Sequence, residues 1–78
     1  LMDGRAEALE FHIQKGSPVI GRPIKDLLLI DNLLICSIYR KGKPMIPNGQ
    51  DHMEEDDLVV VVTTKKGLHD VKDILKRG

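Results

Sequence analysis

The most apolar stretch of the chain runs from Leu58 to Thr64 and reads Leu-Val-Val-Val-Val-Thr-Thr. β-branched side chains are restricted at χ1 and pack better in a pleated sheet than in a helix. Because apolar residues occupy both strand faces here without alternation, the pattern predicts a strand that is buried on both sides. We therefore expect this strand at the centre of the fold, with the other elements arranged to cover it.

Three further segments have strand patterns. Residues 6–13 alternate apolar and polar positions, which is typical of a half-buried strand. Residues 33–39 are apolar at nearly every position and predict a second long strand. A tight turn with Gly42 at its tip leads into a short return strand over residues 44–47. Its two prolines confine that strand to an edge of the sheet or to a bulge, because proline donates no ladder hydrogen bond.

Two segments have helical spacing. The first covers residues 24–30: Pro23 suits the first position of a helix, and apolar residues repeat at i, i+3 and i+4 from Ile24. The second covers residues 68–76, has one apolar face, and ends before Gly78, a suitable C-terminal cap. The predicted fold class is therefore α+β, with a small mixed or antiparallel sheet and two helices in the order β-α-β-β-β-α.

The composition is that of one small folded domain over residues 1–78. A domain of this size buries only about 60% of its unfolded surface, so association commonly adds stability. Twelve basic and twelve acidic residues give no net charge, which argues against a nucleic-acid partner and a polybasic membrane anchor. No apolar run approaches the roughly 18 residues of a membrane span, so no direct membrane insertion is predicted. We interpret the start at Leu1–Gly4 as a cut within a longer cytosolic protein.

Groups with catalytic or metal-binding chemistry are scattered along the chain. His12, His52 and His69 lack second ligands at the spacing of zinc sites, so no metal site is predicted. Cys36 lies in an apolar strand without a basic neighbour and is predicted to be a core thiol. No serine or threonine has a neighbouring histidine and carboxylate, so no catalytic residue and no enzyme is predicted.

Charged clusters offer two weaker candidates for binding. The carboxylates at residues 54–57 lack the alternating ligands of an EF-hand and are interpreted as a solvated turn, with cation binding as the alternative. Gly21 and Arg22 at the start of the first predicted helix offer free N–H groups and a cation to an anion, with a plain turn as the alternative. Arg40 begins a basic hairpin tip that is predicted to be exposed. Gly21, Arg22 and Arg40 are therefore the candidate ligand- or anion-binding residues.

Three motifs in order resemble the RCK C-terminal (TrkA-C) domain family. Residues 19–27 are similar to its opening motif, hydrophobic-x-G-x-x-I-x-x-L. Residues 38–49 are similar to its hairpin, I-x-R-x-G-x-x-I-P-x-G, and residues 56–61 to its central strand, x-D-x-hydrophobic. The resemblance covers about residues 6–76.

This resemblance implies a regulatory domain of a potassium-transport protein, as in the cytosolic subunit of Trk-type uptake systems. It implies that NAD or ATP binds to an upstream nucleotide-binding domain and that this segment carries no cofactor. It also implies a membrane potassium transporter subunit as partner, and a cytoplasmic location beside the inner face of the cell membrane. The alternative is a generic small-molecule-sensing domain attached to another transporter, an enzyme or a transcription regulator.

The resemblance also bears on the effector. Some family members bind cyclic di-AMP between two C-terminal lobes, using an arginine after the first helix and an asparagine that enters the next strand. Ile30 and Asp31, then Leu33 and Leu34, occupy that region here. These residues argue against cyclic di-AMP and leave the effector open.

Dimerisation is expected from both the family and the residues. The family pairs its C-terminal lobes, and three successive apolar residues in the first predicted helix cannot all face its own sheet. Exposed apolar patches commonly mark interfaces. We predict a twofold homodimer whose contact includes Ile24, Leu28, Leu29, Ile30 and Leu34.

Overall fold

A computed structural model describes residues 5–77 and contains four strands and two short 3₁₀ helices. The strands are β1 (Glu7–His12), β2 (Leu33–Arg40), β3 (Lys43–Met45) and β4 (Leu58–Thr63). The helices are Ile24–Asp26 and Val71–Ile74. The predicted cut at Leu1–Gly4 and the predicted cap at Gly78 lie outside the described residues.

The four strands form one antiparallel sheet in the order β1-β4-β2-β3. β4 pairs with β1 on one side and with β2 on the other, which confirms its predicted inner position. All four strands begin and end within two residues of the predicted bounds. β2 carries a bulge between Ile35 and Ser37, where Cys36 has no paired residue on β4. Cys36 is half-buried at this bulge, so its prediction as a core thiol is wrong.

The connections between the strands cover one face of the sheet only. Val59 and Val61 of β4 are fully buried, whereas Val60 and Val62 on the opposite face are half-buried. The prediction that β4 is buried on both faces is therefore wrong, because a chain this short supplies a single covering layer. The core beneath the sheet contains Phe11, Ile13, Val19, Leu27, Ile38, Met53, Val59, Val61, Val71 and Ile74.

The predicted α+β class with two helices is wrong. Each helical segment is a single 3₁₀ turn, of three residues in the first case and four in the second. Both turns end in extended backbone, and the extended residues Leu29 and Leu75 pair with each other as an antiparallel bridge. The N–H of Ile30 donates to the carbonyl of Ile74 at 2.8 Å, and the N–H of Lys76 donates to that of Leu28 at 2.7 Å.

This pairing has a physical reason. Isolated helices shorter than about 12–15 residues are marginally stable, so backbone groups in such short segments readily take tertiary partners. The N–H groups of Ile24 and Lys25 donate to carbonyls of the connection before β4, at 2.8 and 3.0 Å. Leu27 is buried and Leu28 exposed, which is the period-two alternation of an extended chain. The helical spacing from Ile24 was therefore a coincidence of apolar positions.

Candidate functional site

The polar group with the most contacts is the side chain of Arg40, at the end of β2. Its Nε and Nη2 donate to the two carboxylate oxygens of Asp57 at 3.0 and 2.9 Å. Nη2 also donates to the carbonyl of His52 at 2.9 Å, and Nη1 lies 3.1 Å from a carboxylate oxygen of Glu54. Asp57 is only 1% exposed. A bidentate ion pair between a half-buried guanidinium and a buried carboxylate thus fastens the end of β2 to the connection that precedes β4.

A local turn holds Asp57 in place for this pair. The N–H of Asp57 donates to the carbonyl of Glu54 at 3.1 Å, and its carboxylate accepts the N–H of Glu54 at 2.8 Å. Asp56 completes the turn with a left-handed φ of 73°. The predicted solvated turn is therefore correct for Glu55 and Asp56, which are exposed, and wrong for Asp57.

The predicted exposed hairpin tip is confirmed for residues 41–43 and wrong for Arg40, whose side chain is only 27% exposed. Arg40 and Asp57 are 17 residues apart in the chain. The pairing of β2 with β4, which sets Tyr39 opposite Leu58, brings them together. No local sequence pattern specifies that these two residues meet. The sequence shows only that an arginine and an aspartate each adjoin an apolar strand.

Both members of the pair are charged. Burial raises the pKa of Asp57, but the hydrogen bonds from Arg40 and from the Glu54 N–H, together with the Arg40 charge, outweigh it. The pKa of Asp57 therefore lies below its ordinary value of 3.8. The hydrogen bond to Asp57 is the main reason why the pKa of Arg40 is raised above its ordinary value.

The lowered pKa of Asp57 makes stability depend on pH. As pH falls, the Asp57 carboxylate is protonated near pH 3.8 in the unfolded chain and at a lower pH in the folded chain. The stabilisation that the ionised carboxylate gives the fold is therefore present above pH 3.8 and is lost as pH falls further. Each unit of pKa shift corresponds to about 1.4 kcal/mol. We expect the free energy of unfolding, measured with denaturant at pH 5 and pH 3, to fall less for Asp57→Asn than for the unaltered chain. Equal falls would contradict this assignment.

Two of the three candidate anion-binding residues, Gly21 and Arg22, lie in the connection between β1 and β2 and contact different partners. The N–H of Gly21 donates to the carbonyl of Met53 at 3.1 Å, beside the His52 carbonyl that Arg40 contacts. Arg22 is exposed and donates to the carbonyl of Asp26 at 3.0 Å. The N–H groups of Gly21, Ile24 and Lys25 are not free as at a helix start, because they donate to carbonyls of the 46–57 connection. Anion binding stays a prediction, and it now depends on Arg22.

Two histidines accompany the acidic turn. Nε2 of His12 lies 3.2 Å from Asp56, and Nε2 of His52 lies 3.3 Å from Glu54. Within residues 5–77, no group of three or more His, Cys, Asp or Glu side chains is placed to hold a metal ion. The first contact joins β1 to the 46–57 connection, and the second lies within that connection.

Exposed apolar side chains form the other candidate feature. Of the predicted interface residues, Leu28 is 70% and Leu34 64% exposed. The remaining three are half-buried: Ile24, Leu29 and Ile30. Three further apolar residues are exposed that were not predicted from the sequence to be so: Ile46 at 86%, Tyr39 at 41% and Leu58 at 37%. Pro44 and Pro47, which flank Met45 and Ile46, were the one signal that could have indicated the exposure of Ile46.

Comparison with known proteins gives one family. The model of the TrkA-C domain family matches residues 8–76. The Trk system potassium uptake protein TrkA homolog of Archaeoglobus fulgidus is 35% identical over 71 residues, covering 91% of this chain and 16% of that protein. The protein of the same name from Pyrococcus abyssi is 33% identical over 73 residues, covering 92% of this chain and 32% of that protein.

A protein with a different name also matches. The K(+)/H(+) antiporter NhaP2 of Shewanella sp. strain ANA-3 is 24% identical over 72 residues, covering 92% of this chain and 12% of the antiporter. The chain thus spans at most about a third of the length of these relatives. Neither helix within residues 5–77 is long and apolar enough to cross a membrane.

Proposed function

Because the chain belongs to the TrkA-C domain family, we propose that it is a non-catalytic regulatory domain of a potassium-uptake protein. The observation that carries this proposal is the family match over residues 8–76, together with relatives named as Trk system potassium uptake proteins. The domain pairs with a second copy and transmits the state of a ligand to a membrane potassium transporter subunit. It works in the cytoplasm, beside the inner face of the membrane.

In this proposal, another domain of the protein binds the nucleotide. NAD or ATP is expected to bind an upstream nucleotide-binding domain. The TrkA-C domain then relays the nucleotide state or adds a response to a second ligand. The net charge of zero supports a partner other than nucleic acid. The buried Arg40–Asp57 pair supports a rigid unit, because it fixes the end of β2 against the acidic turn.

A second candidate is regulation of a different transporter. The match to the antiporter NhaP2 supports it, since that protein contains a segment similar to nearly all of this chain. A generic ligand-sensing domain on an enzyme or a transcription regulator is the broader form of the same alternative.

The proposal is tested by replacing the matching segment of the Archaeoglobus fulgidus protein with this chain and measuring potassium uptake in cells. We expect the hybrid to restore uptake that is lost when the segment is deleted. A hybrid with the activity of the deletion would contradict a potassium-uptake role. The same exchange in NhaP2, scored by potassium–proton exchange, distinguishes the second candidate.

Dimerisation through the exposed leucines is tested with two substitutions. Leu28→Glu and Leu34→Glu are expected to raise the dimer Kd at least about tenfold, or roughly 1.4 kcal/mol, because each places a charge in an apolar contact. Sedimentation equilibrium measures the Kd. Ile46→Glu is the matched control, as an exposed apolar residue outside the predicted contact. A chain that is monomeric at micromolar concentration would contradict the interface.

Anion binding near Gly21 and Arg22 is tested by thermal unfolding with cyclic di-AMP, ATP, ADP, NAD and NADH. A ligand at 100 times its Kd stabilises by about 2.7 kcal/mol. Arg22→Ala is expected to reduce the shift given by any anion that binds there, whereas Lys25→Ala, which removes a nearby exposed cation, leaves it unchanged. Equal shifts in both variants would place the anion elsewhere.

A further inference from the structure

β1 forms one of the two edges of the sheet, and its backbone is available to another strand. β1 pairs with β4 through six consecutive residues, from Glu7 opposite Thr63 to His12 opposite Leu58. The backbone pairing recorded for β1 within residues 5–77 is on the β4 side. Unpaired N–H and C=O groups along an edge form a template for a further strand.

The two edges of the sheet differ in how well they resist such pairing. β3 at the opposite edge has only three residues and contains Pro44, features that block strand addition. β1 is twice as long, contains no proline, and pairs with β4 without a bulge. The β1 edge is therefore the one suited to strand addition.

The inner ladder fixes which backbone groups of β1 face outward. The N–H of Ile13 donates to the carbonyl of Asp57 at 2.8 Å, and its carbonyl accepts the N–H of Asp56 at 2.8 Å. Backbone direction alternates along an extended strand, so the groups of Phe11 also face β4. Those of Glu10 and His12 then face the open edge.

The sequence along this edge is complementary to itself when read in the opposite direction. When two antiparallel copies of this segment are aligned at Phe11, Glu10 lies opposite His12 and Leu9 lies opposite Ile13. We propose that β1 pairs antiparallel with the β1 strand of a second copy, about a twofold axis at Phe11, joining two four-stranded sheets edge to edge. Glu10 and the partner's His12 exchange two backbone hydrogen bonds, and the carboxylate of Glu10 lies beside the imidazole of the partner's His12 on the exposed face.

Neighbouring registers fit less well. Because side chains alternate between faces, a shift by one residue would place core-facing residues opposite exposed ones. A shift by two toward the N-terminus sets Glu10 opposite the partner's Glu10, two like charges in direct apposition. The register centred on Phe11 is the one that sets Glu10 opposite His12 on the exposed face and apolar residues opposite each other on the core face.

This contact is distinct from the dimer proposed above. Leu28 lies in the 24–31 connection and Leu34 on β2, which is separated from β1 by β4. Edge pairing therefore leaves both leucines exposed, and each copy has two separate surfaces for other copies. Contacts over five residues bury little area, so the pairing is weak in isolation and strengthens where other contacts hold two copies together.

The experiment uses cysteine pairs in a Cys36→Ser background, mixing the Glu10→Cys chain with the His12→Cys chain under oxidising conditions. Directly opposed residues of this kind are about 5.5 Å apart between Cα atoms, within the range of a disulfide. Random pairing of equal amounts would make half of all disulfide-linked dimers mixed. We expect the mixed Glu10→Cys/His12→Cys dimer to make up more than half of them. A mixed share of half or less, or a predominance of Glu10→Cys dimers with themselves, would overturn the register.

Hydrogen exchange on the unaltered chain provides a readout that needs no substitution. The amides of Glu10 and His12 are expected to exchange more slowly as protein concentration rises, whereas the Phe11 amide is protected at every concentration. Concentration-independent exchange at Glu10 and His12 would overturn edge pairing. Repeating the measurement with Leu28→Glu and Leu34→Glu separates the two contacts, because those substitutions leave the β1 edge intact.

Discussion

Replacing Arg40 with methionine is expected to lower the free energy of unfolding by about 3–5 kcal/mol. The substitution keeps an unbranched side chain but leaves the Asp57 carboxylate, only 1% exposed, without its counter-ion. It also frees the His52 carbonyl and the Glu54 carboxylate from the guanidinium. Urea unfolding followed by circular dichroism measures the change.

Two controls isolate the ion pair. Lys41→Met removes the adjacent exposed cation of the same hairpin and is expected to change stability by less than about 0.5 kcal/mol. The double variant Arg40→Met/Asp57→Leu removes both charges and is expected to be less destabilised than Arg40→Met, since no unpaired buried charge remains. Losses that simply add in the double variant would show that the pair is not the source of the effect.

Replacing Met53 with alanine is expected to cost about 2–5 kcal/mol. Met53 is 0% exposed although it lies in a polar connection, and it belongs to the core cluster beneath β4. Its backbone also forms a parallel bridge with Ile20 and accepts the N–H of Gly21. The alanine variant leaves a cavity under the sheet while these backbone contacts stay available.

The controls for Met53 separate volume from chemistry. Met53→Leu conserves most of the volume and is expected to cost less than about 1.5 kcal/mol. Ile46→Ala removes an apolar side chain that is 86% exposed, so little change is expected. A Met53→Ala loss as small as that of Ile46→Ala would mean that the 46–57 connection is not anchored through this residue.

The strands were predictable because strand patterns are local. Alternation in residues 6–13 and the run of valines after Leu58 each identify a strand without reference to the rest of the chain. Met53, an isolated apolar residue in a polar segment, is fully buried. The burial of β4 on one face only was not predictable, because a run of valines carries no information on how many layers cover it.

The candidate sites were less predictable than the strands. Leu28 and Leu34 were predicted from the sequence as interface candidates, and both are exposed. Arg40 was identified as a cation at a turn, but its contacts with Asp57 and Glu54 depend on the pairing of β2 with β4. The open edge of β1 likewise follows from the order of strands in the sheet, which a period-two pattern does not specify.

The sequence by itself determined where the strands lie, how the β2–β3 hairpin turns, and to which family the chain belongs. These properties depend on side-chain periodicity, on glycine at a left-handed φ of 77° in Gly42, and on motifs in order along the chain. The tertiary structure alone decided that the predicted helices become short turns. In segments this short, the backbone pairing of Leu29 with Leu75 replaces helical bonds that are weak without tertiary support. It also decided that Asp57 is buried, because only the folded sheet brings Arg40 close enough to offset the cost of removing a carboxylate from water.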